Sequence, residues 1–189
     1  VEIDPNNDSI IYVTQGNLNF DLDPTLSGIY KTTNKGVSFN ELLDAGLLTA
    51  WSGNAKITID PSNSNTIYAS IQAWYSSGST TIAGIYKSTN SGFTWNKIND
   101  QNVAAWQGWY SHDIVINPES PNELMYVGIA AWKSTNNGED FTQKTDNTWT
   151  WGEVSVDFPE GEDNYVHSDI HAVYYHPINN KVFMASDGG

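Results

Sequence analysis

Residues able to do chemistry concentrate in the last third of the chain. His167, Asp169 and His171 alternate along Tyr165-Val166-His167-Ser168-Asp169-Ile170-His171. In an extended segment alternate side chains point the same way. Two imidazoles and a carboxylate so placed could hold a transition ion such as Zn²⁺. A hydrogen-bonded cluster that fixes the loop entering a strand would use the same residues, and no third histidine nearby argues for a metal. Asp157, Glu160, Glu162 and Asp163 form an acidic run that could take Ca²⁺ through carboxylates. That run matches no standard calcium loop and reads as a solvated acidic segment. Ser111-His112-Asp113 are contiguous, so they cannot converge as a nucleophilic triad.

Aromatic side chains on loop-like segments are the second signal. Trp106, Trp109 and Tyr110 lie in one such stretch, Trp74 and Tyr75 in another, and Trp51, Trp149 and Trp151 in two more. Phe20, Asp21 and Asp23 occupy a further long loop. Rings stack on sugar C–H faces while short polar residues bond hydroxyls, so such loops suit a glycan-binding surface. The alternative is that these rings plug gaps between packed sheets. Trp106 and Trp109 are the pair expected at the surface.

Bulk composition removes several function classes. Acidic residues outnumber basic ones 22 to 8, for a formal charge of −14. That field repels nucleic acid and anionic lipid, and favours a neutral ligand or a cation. No run approaches the roughly 20 apolar residues of a membrane span. With no cysteine, disulfide and thiolate chemistry are absent. All eight basic residues are lysine, so no arginine fork exists to clamp a sugar carboxylate. Val1 opens inside a strand-like run, so a leader has been removed or the chain is a piece of a longer one.

The elements that must position these residues come from a repeat. Apolar strand, Asp-Pro, Asn/Ser-rich turn and second strand recur at Pro5, Pro61, Pro118 and Pro177, spaced by 56, 57 and 59 residues. A second unit alternates with it: Gly28-Ile29-Tyr30-Lys31-Thr32-Thr33-Asn34-Lys35-Gly36, Gly84-Ile85-Tyr86-Lys87-Ser88-Thr89-Asn90-Ser91-Gly92, and Ala131-Trp132-Lys133-Ser134-Thr135-Asn136-Asn137-Gly138. Four short strands per unit of about 57 residues, with no helical period, predict blades of a β-propeller. The expected architecture is all-β, with four-stranded antiparallel blades at 1–42, 43–98, 99–145 and 146–189, the last one incomplete. The proline turns join strands A and B, and the Asn-Gly turns join C and D, on one face. The aromatic loops fall on the other. His112 and His171, each six residues before its proline, both open inner strands beside the central channel. Propellers close with about 4–8 blades, so the remaining blades are expected from the rest of a longer polypeptide or from a further chain.

The second unit resembles the Asp-box, Ser/Thr-x-Asp-x-Gly-x-x-Trp/Phe, with asparagine in place of aspartate. The chain therefore resembles the Asp-box (BNR-repeat) propellers, which include sialidases, xyloglucan-cleaving glycoside hydrolases and sortilin-like ectodomains. Gly108-Trp109-Tyr110, the His-x-Asp-x-His stretch and Ser186-Asp187-Gly188-Gly189 look like a subgroup of secreted Bacteroidetes propellers, often exported by type IX secretion. The resemblance implies an extracellular or cell-surface location more than it implies a reaction. Lack of arginine rules out a sialidase site. A xyloglucanase-like site needs two carboxylates flanking a cleft, and Asp113 with Asp169 is the pair available. The sequence leaves two readings: a binding or adhesion module for glycan or protein, with Trp74, Trp106, Trp109, Tyr110, His112 and His171 as contacts, or a glycan-active hydrolase completed by residues outside the chain.

Overall fold

Alternating apolar residues and asparagine-rich turns build fourteen short strands among the described residues. A computed structural model describes residues 1–17, 26–42, 46, 50–73, 83–146 and 164–188. The first sheet holds β1 (Glu2–Ile3), β2 (Ile11–Gln15), β3 (Gly28–Thr32) and β4 (Asn40–Glu41). The second holds β5 (Ala55–Ile59), β6 (Ile67–Ile71), β7 (Gly84–Ser88) and β8 (Asn96–Asn99). The third holds β9 (Asp113–Ile116), β10 (Leu124–Val127), β11 (Ala131–Ser134) and β12 (Thr142–Gln143). The last is the pair β13 (Ile170–Tyr175) and β14 (Val182–Ser186). All pairings between the described strands are antiparallel and follow chain order, so each sheet is a meander. No helix among the described residues is long and apolar enough to cross a membrane.

The first strand of each sheet is the inner one. β5 lies beside β9, β9 beside β13, and β1 beside β5. Two polar links tie these inner strands, the Ile116 N–H to Thr58 Oγ1 at 3.4 Å and the Val173 N–H to Asp113 Oδ2 at 3.0 Å, and a third joins β2 to β5, where Thr14 Oγ1 donates to the Ala55 carbonyl at 2.7 Å. A cavity of about 200 Å³ lies at their proline ends, walled by Ile3, Ile59, Ile116 and Tyr175 among others. Three apolar clusters fill the gaps between successive sheets. Trp51 and Trp95 are buried in the first of them, so for Trp51 the gap-filling alternative holds. This is the β-propeller arrangement that the repeat predicts.

Turn chemistry repeats with the sheets. Asp4, Asp60 and Asn117 each accept the N–H of the residue two positions on, at 2.9, 2.8 and 3.0 Å. His176 does the same for Ile178 through Nδ1. In the second turn type, Thr32, Ser88 and Ser134 take the N–H of Gly36, Gly92 and Gly138. Asn34, Asn90 and Asn136 take the N–H four residues on, at 3.0, 2.8 and 3.0 Å. Each glycine has φ between 84° and 87°, a conformation that L side chains resist. The residue before each glycine donates its N–H to the proline turn of the same sheet, linking Lys35 to Ser9, Ser91 to Asn65 and Asn137 to Asn122. Both turn types thus occupy one face.

Candidate functional site: an aromatic and carboxylate cluster on the opposite face

The stretch between β8 and β9 is held open as a platform. A single 3-10 turn spans Ala105–Gln107, and Ala105 sits at φ 47°. Tyr110 and Ser111 both return N–H bonds to the Gln107 carbonyl. The base of the loop is buried at Val103 and Ala104, where the Ile129 N–H bonds the Val103 carbonyl at 2.8 Å. Its crown is exposed: Trp106, Trp109 and Tyr110 are 46%, 37% and 41% accessible. The Trp109 and Tyr110 rings are 5.1 Å apart and tilted by 39°.

A second sheet supplies the polar half. The Tyr110 hydroxyl donates to Asp187 Oδ2 at 2.8 Å, and His171 Nε2 donates to Asp187 Oδ1 at 2.5 Å. The His171 and Tyr110 rings meet edge to face at 4.7 Å. Gln107 hydrogen-bonds Asp169, which also feels the charge of Asp187. Burial, then the neighbouring Asp187 charge, push the Asp169 carboxyl above its usual range. The Tyr110 hydroxyl, then His171, hold Asp187 below that range. The same bond to Asp187 raises the Tyr110 phenol.

Not every expected contact joins this cluster. His112 is fully buried: Nε2 donates to the Asn54 carbonyl at 3.1 Å, and Nδ1 accepts from Ser70 Oγ at 3.0 Å. Burial, then nearby Lys56, lower its pKa to about 3, against the raising effect of the Asn54 bond. Asn54 and Ser70, beside and within the second sheet, hold it buried, so His112 does not reach the surface where the expected ligand contact would be. Asp113 is likewise a clasp. Its two oxygens accept the N–H groups of Ile114 and Val173, and burial raises its pKa. Asp113 thus turns to the backbone of β9 and β13, whereas Asp169 meets Gln107 and Asp187, so the structure does not bring the expected Asp113–Asp169 pair together.

The proposed metal triad also separates. Asp169 has φ 65°, so the segment is not extended there and strict alternation fails. His167 Nδ1 donates to the Ser168 carbonyl, while His171 turns to Asp187. Among the described residues no group of three or more His, Asp or Glu side chains is arranged to hold a metal ion. Trp74, Tyr75, Phe20, Asp21, Asp23, Trp149, Trp151 and the run from Asp157 to Asp163 lie outside the described residues.

Asp187 and Asn54 are the residues that sequence reasoning left without a role. The Ser-Asp-Gly-Gly motif marked Asp187, but nothing in the sequence gives its distance from Tyr110. Asn54 is used from every side. Its N–H bonds the Gly108 carbonyl at 2.8 Å and its side-chain amide the Trp109 carbonyl at 2.6 Å. Its own carbonyl accepts from Gln72 and His112.

Fold and site together define a β-propeller with an aromatic–carboxylate cluster on the loop face. No family model matches the chain, and no curated protein matches it either. Among solved structures, a GH74 enzyme of Niastella koreensis aligns at TM-score 0.62 and 21% identity, covering 99% of this chain and 26% of that one. An ancestral GH74 enzyme aligns at TM-score 0.52 and 17% identity, covering 77% of this chain and 18% of its own. At these identities the likeness establishes the fold. The chain spans about a quarter of the first enzyme and less than a fifth of the second.

Proposed function

We propose that this chain contributes Asp-box blades to an extracellular or cell-surface β-propeller whose loop face binds glycan. The observation that carries this reading is the array of Trp106, Trp109 and Tyr110, exposed yet fixed beside His171 and Asp187. Exposed aromatic rings in a rigid frame give stacking area at low entropy cost, and the carboxylate and imidazole give hydroxyl partners. Further blades, in the same polypeptide or another chain, are the structural partners. Calorimetry with xyloglucan and mixed β-glucan tests the reading. Binding lost in Trp109→Ala but kept in Phe183→Ala supports it, and absence of binding to any glycan removes it.

A second reading is glycan hydrolysis. It is favoured by one contrast: adjacent Asp169 and Asp187 are shifted in opposite directions, as an acid and a base must be. Release of reducing ends that stops in Asp169→Asn would support that reading over simple binding.

A further inference from the structure

The repeat places one recurring side chain at each seam between sheets. Tyr12, Tyr68, Met125 and Phe183 pair across the sheet with Glu2, Thr58, Val115 and Tyr174, each three residues before its proline. Tyr12 packs between the first and second sheets, Tyr68 between the second and third, and Met125 between the third and fourth. Both tyrosines sit on the glycine of the next Asn–x–Gly turn. A Cβ on Gly92 would lie 3.7 Å from the Tyr12 ring, and one on Gly138 3.7 Å from the Tyr68 ring. Tyr12 also donates its hydroxyl to the Ser91 carbonyl at 3.2 Å. Phe183 holds this position in the last sheet, its ring stacked on Tyr174 at 5.2 Å, and the two are 42% and 54% accessible. In the first sheet, a Cβ on Gly36 would meet, among the described residues, only Phe39 of its own turn. Phe39 and Ile3 occupy the repeat positions of buried Trp95 and Ile59, yet both are exposed.

Resting on the further-blade part of the proposed function, we propose that a second copy of this chain completes the seam head to tail. Phe183 and Tyr174 of one copy cover Gly36, Phe39 and Ile3 of the other. Continuity with the internal seams selects this occupant: each copy carries both halves of the contact, one on its first sheet and one on its last, in the register that the internal seams use. A contact between two different faces repeats until it closes. Two copies of four sheets make eight, within the roughly 4–8 blades at which propellers close. The expected assembly is therefore a closed pair with two equivalent seams. Burial of the exposed rings drives it, against the repulsion between two chains of charge −14.

Sedimentation velocity on the 189-residue chain tests the proposal, at about 0.5 M salt so that the charge is screened. A concentration-dependent dimer is expected. Phe183→Asp and Phe39→Asp alter exposed rings on opposite ends of the stack, and circular dichroism checks that each variant keeps its strands. Each substitution alone should raise the dimer dissociation constant at least about tenfold. A mixture of the two variants retains one natural seam per pair, so it should form a heterodimer more tightly than either variant dimerises alone. A natural chain that stays monomeric at every concentration overturns the proposal. So does a dimer that neither substitution weakens, or one that only one of them weakens, since the second copy would then meet a different face or the same face of its partner. A mixture no tighter than the separate variants overturns the head-to-tail pairing as well. None of these outcomes touches the glycan reading, which calorimetry on Trp109→Ala decides.

Discussion

Asn54 donates its side-chain amide to the main-chain carbonyl of Trp109 at 2.6 Å, across 55 residues and from one blade to the approach of the next. The aromatic platform is therefore held in part by a residue outside it. Asn54→Asp keeps the size and the backbone bonds but removes the donor and turns a carboxylate toward a carbonyl. Loss of one such bond costs about 1 kcal/mol of stability. Glycan affinity should fall several-fold more than in a surface control such as Asn7→Asp, as titration calorimetry on both variants will measure. Unchanged affinity would show that the loop holds its shape without Asn54.

Gly108 makes the same point sterically. A Cβ there would lie 1.7 Å from the Ala73 carbonyl oxygen and 2.7 Å from its carbon. Backbone atoms cannot swing aside as a flexible side chain can. Gly108→Ala should therefore displace the Trp109–Tyr110 segment, lower the unfolding midpoint by several degrees for a loss of about 2 kcal/mol, and abolish binding. Thermal unfolding with tryptophan fluorescence reports both effects. A variant that binds normally would mean that the two loops separate at little cost.

The blades were legible because their signals are local. Pro5, Pro61, Pro118 and Pro177 set a period, and each Asn–x–Gly turn carries its hydrogen-bond pattern within about seven residues, Thr32 to Ser38 in the first. The site was legible in part. Trp106, Trp109, Tyr110 and His171 were named for the right face, but Asp187 meets Tyr110 across 77 residues, and no local pattern encodes that distance. Alternation also misled at Asp169, because its left-handed φ breaks the extended geometry that the rule assumes. His112 shared a register with His171, yet register fixes depth along a strand and not exposure. The neighbouring sheet, through Asn54 and Ser70, decides the latter.

His112 gives the protein a pH dependence of known sign. Its folded pKa is about 3, lowered chiefly by burial, whereas an unfolded histidine titrates near 6.5. Below pH 6.5 the unfolded chain takes up a proton that the folded chain refuses. Stability therefore falls as pH drops from about 6.5 toward 3, by at most about 1.4 kcal/mol per pH unit. The carboxyls of Asp113 and Asp169 are raised and act in the opposite sense, since they keep protons when folded. Comparing denaturant unfolding of the natural protein with His112→Gln between pH 7 and 4 cancels those terms. The stability gap should narrow steadily as pH falls, and parallel curves would mean that His112 is not held neutral.

The asparagines of the three Asn–x–Gly turns are not equivalent, although their N–H contacts match. Asn34 and Asn90 donate their amides to hydroxyls, Ser38 Oγ at 2.9 Å and Thr94 Oγ1 at 2.9 Å. A hydroxyl can reverse and donate to a carboxylate, so Asn34→Asp and Asn90→Asp should be tolerated within about 0.5 kcal/mol. Asn136 instead donates to the Asp140 carboxylate at 3.0 Å. There an aspartate would face another carboxylate with no donor between them, at a cost of about 1 kcal/mol from repulsion in water, plus the lost hydrogen bond. Asn136→Asp should thus lower the thermal midpoint clearly more than the other two, and Asp140→Ser in the same chain should restore it. The third turn can carry an acidic residue four positions on because its centre is asparagine and not aspartate. If all three single variants melt alike, the amide proton on Asn136 contributes nothing and this account of the asparagine fails.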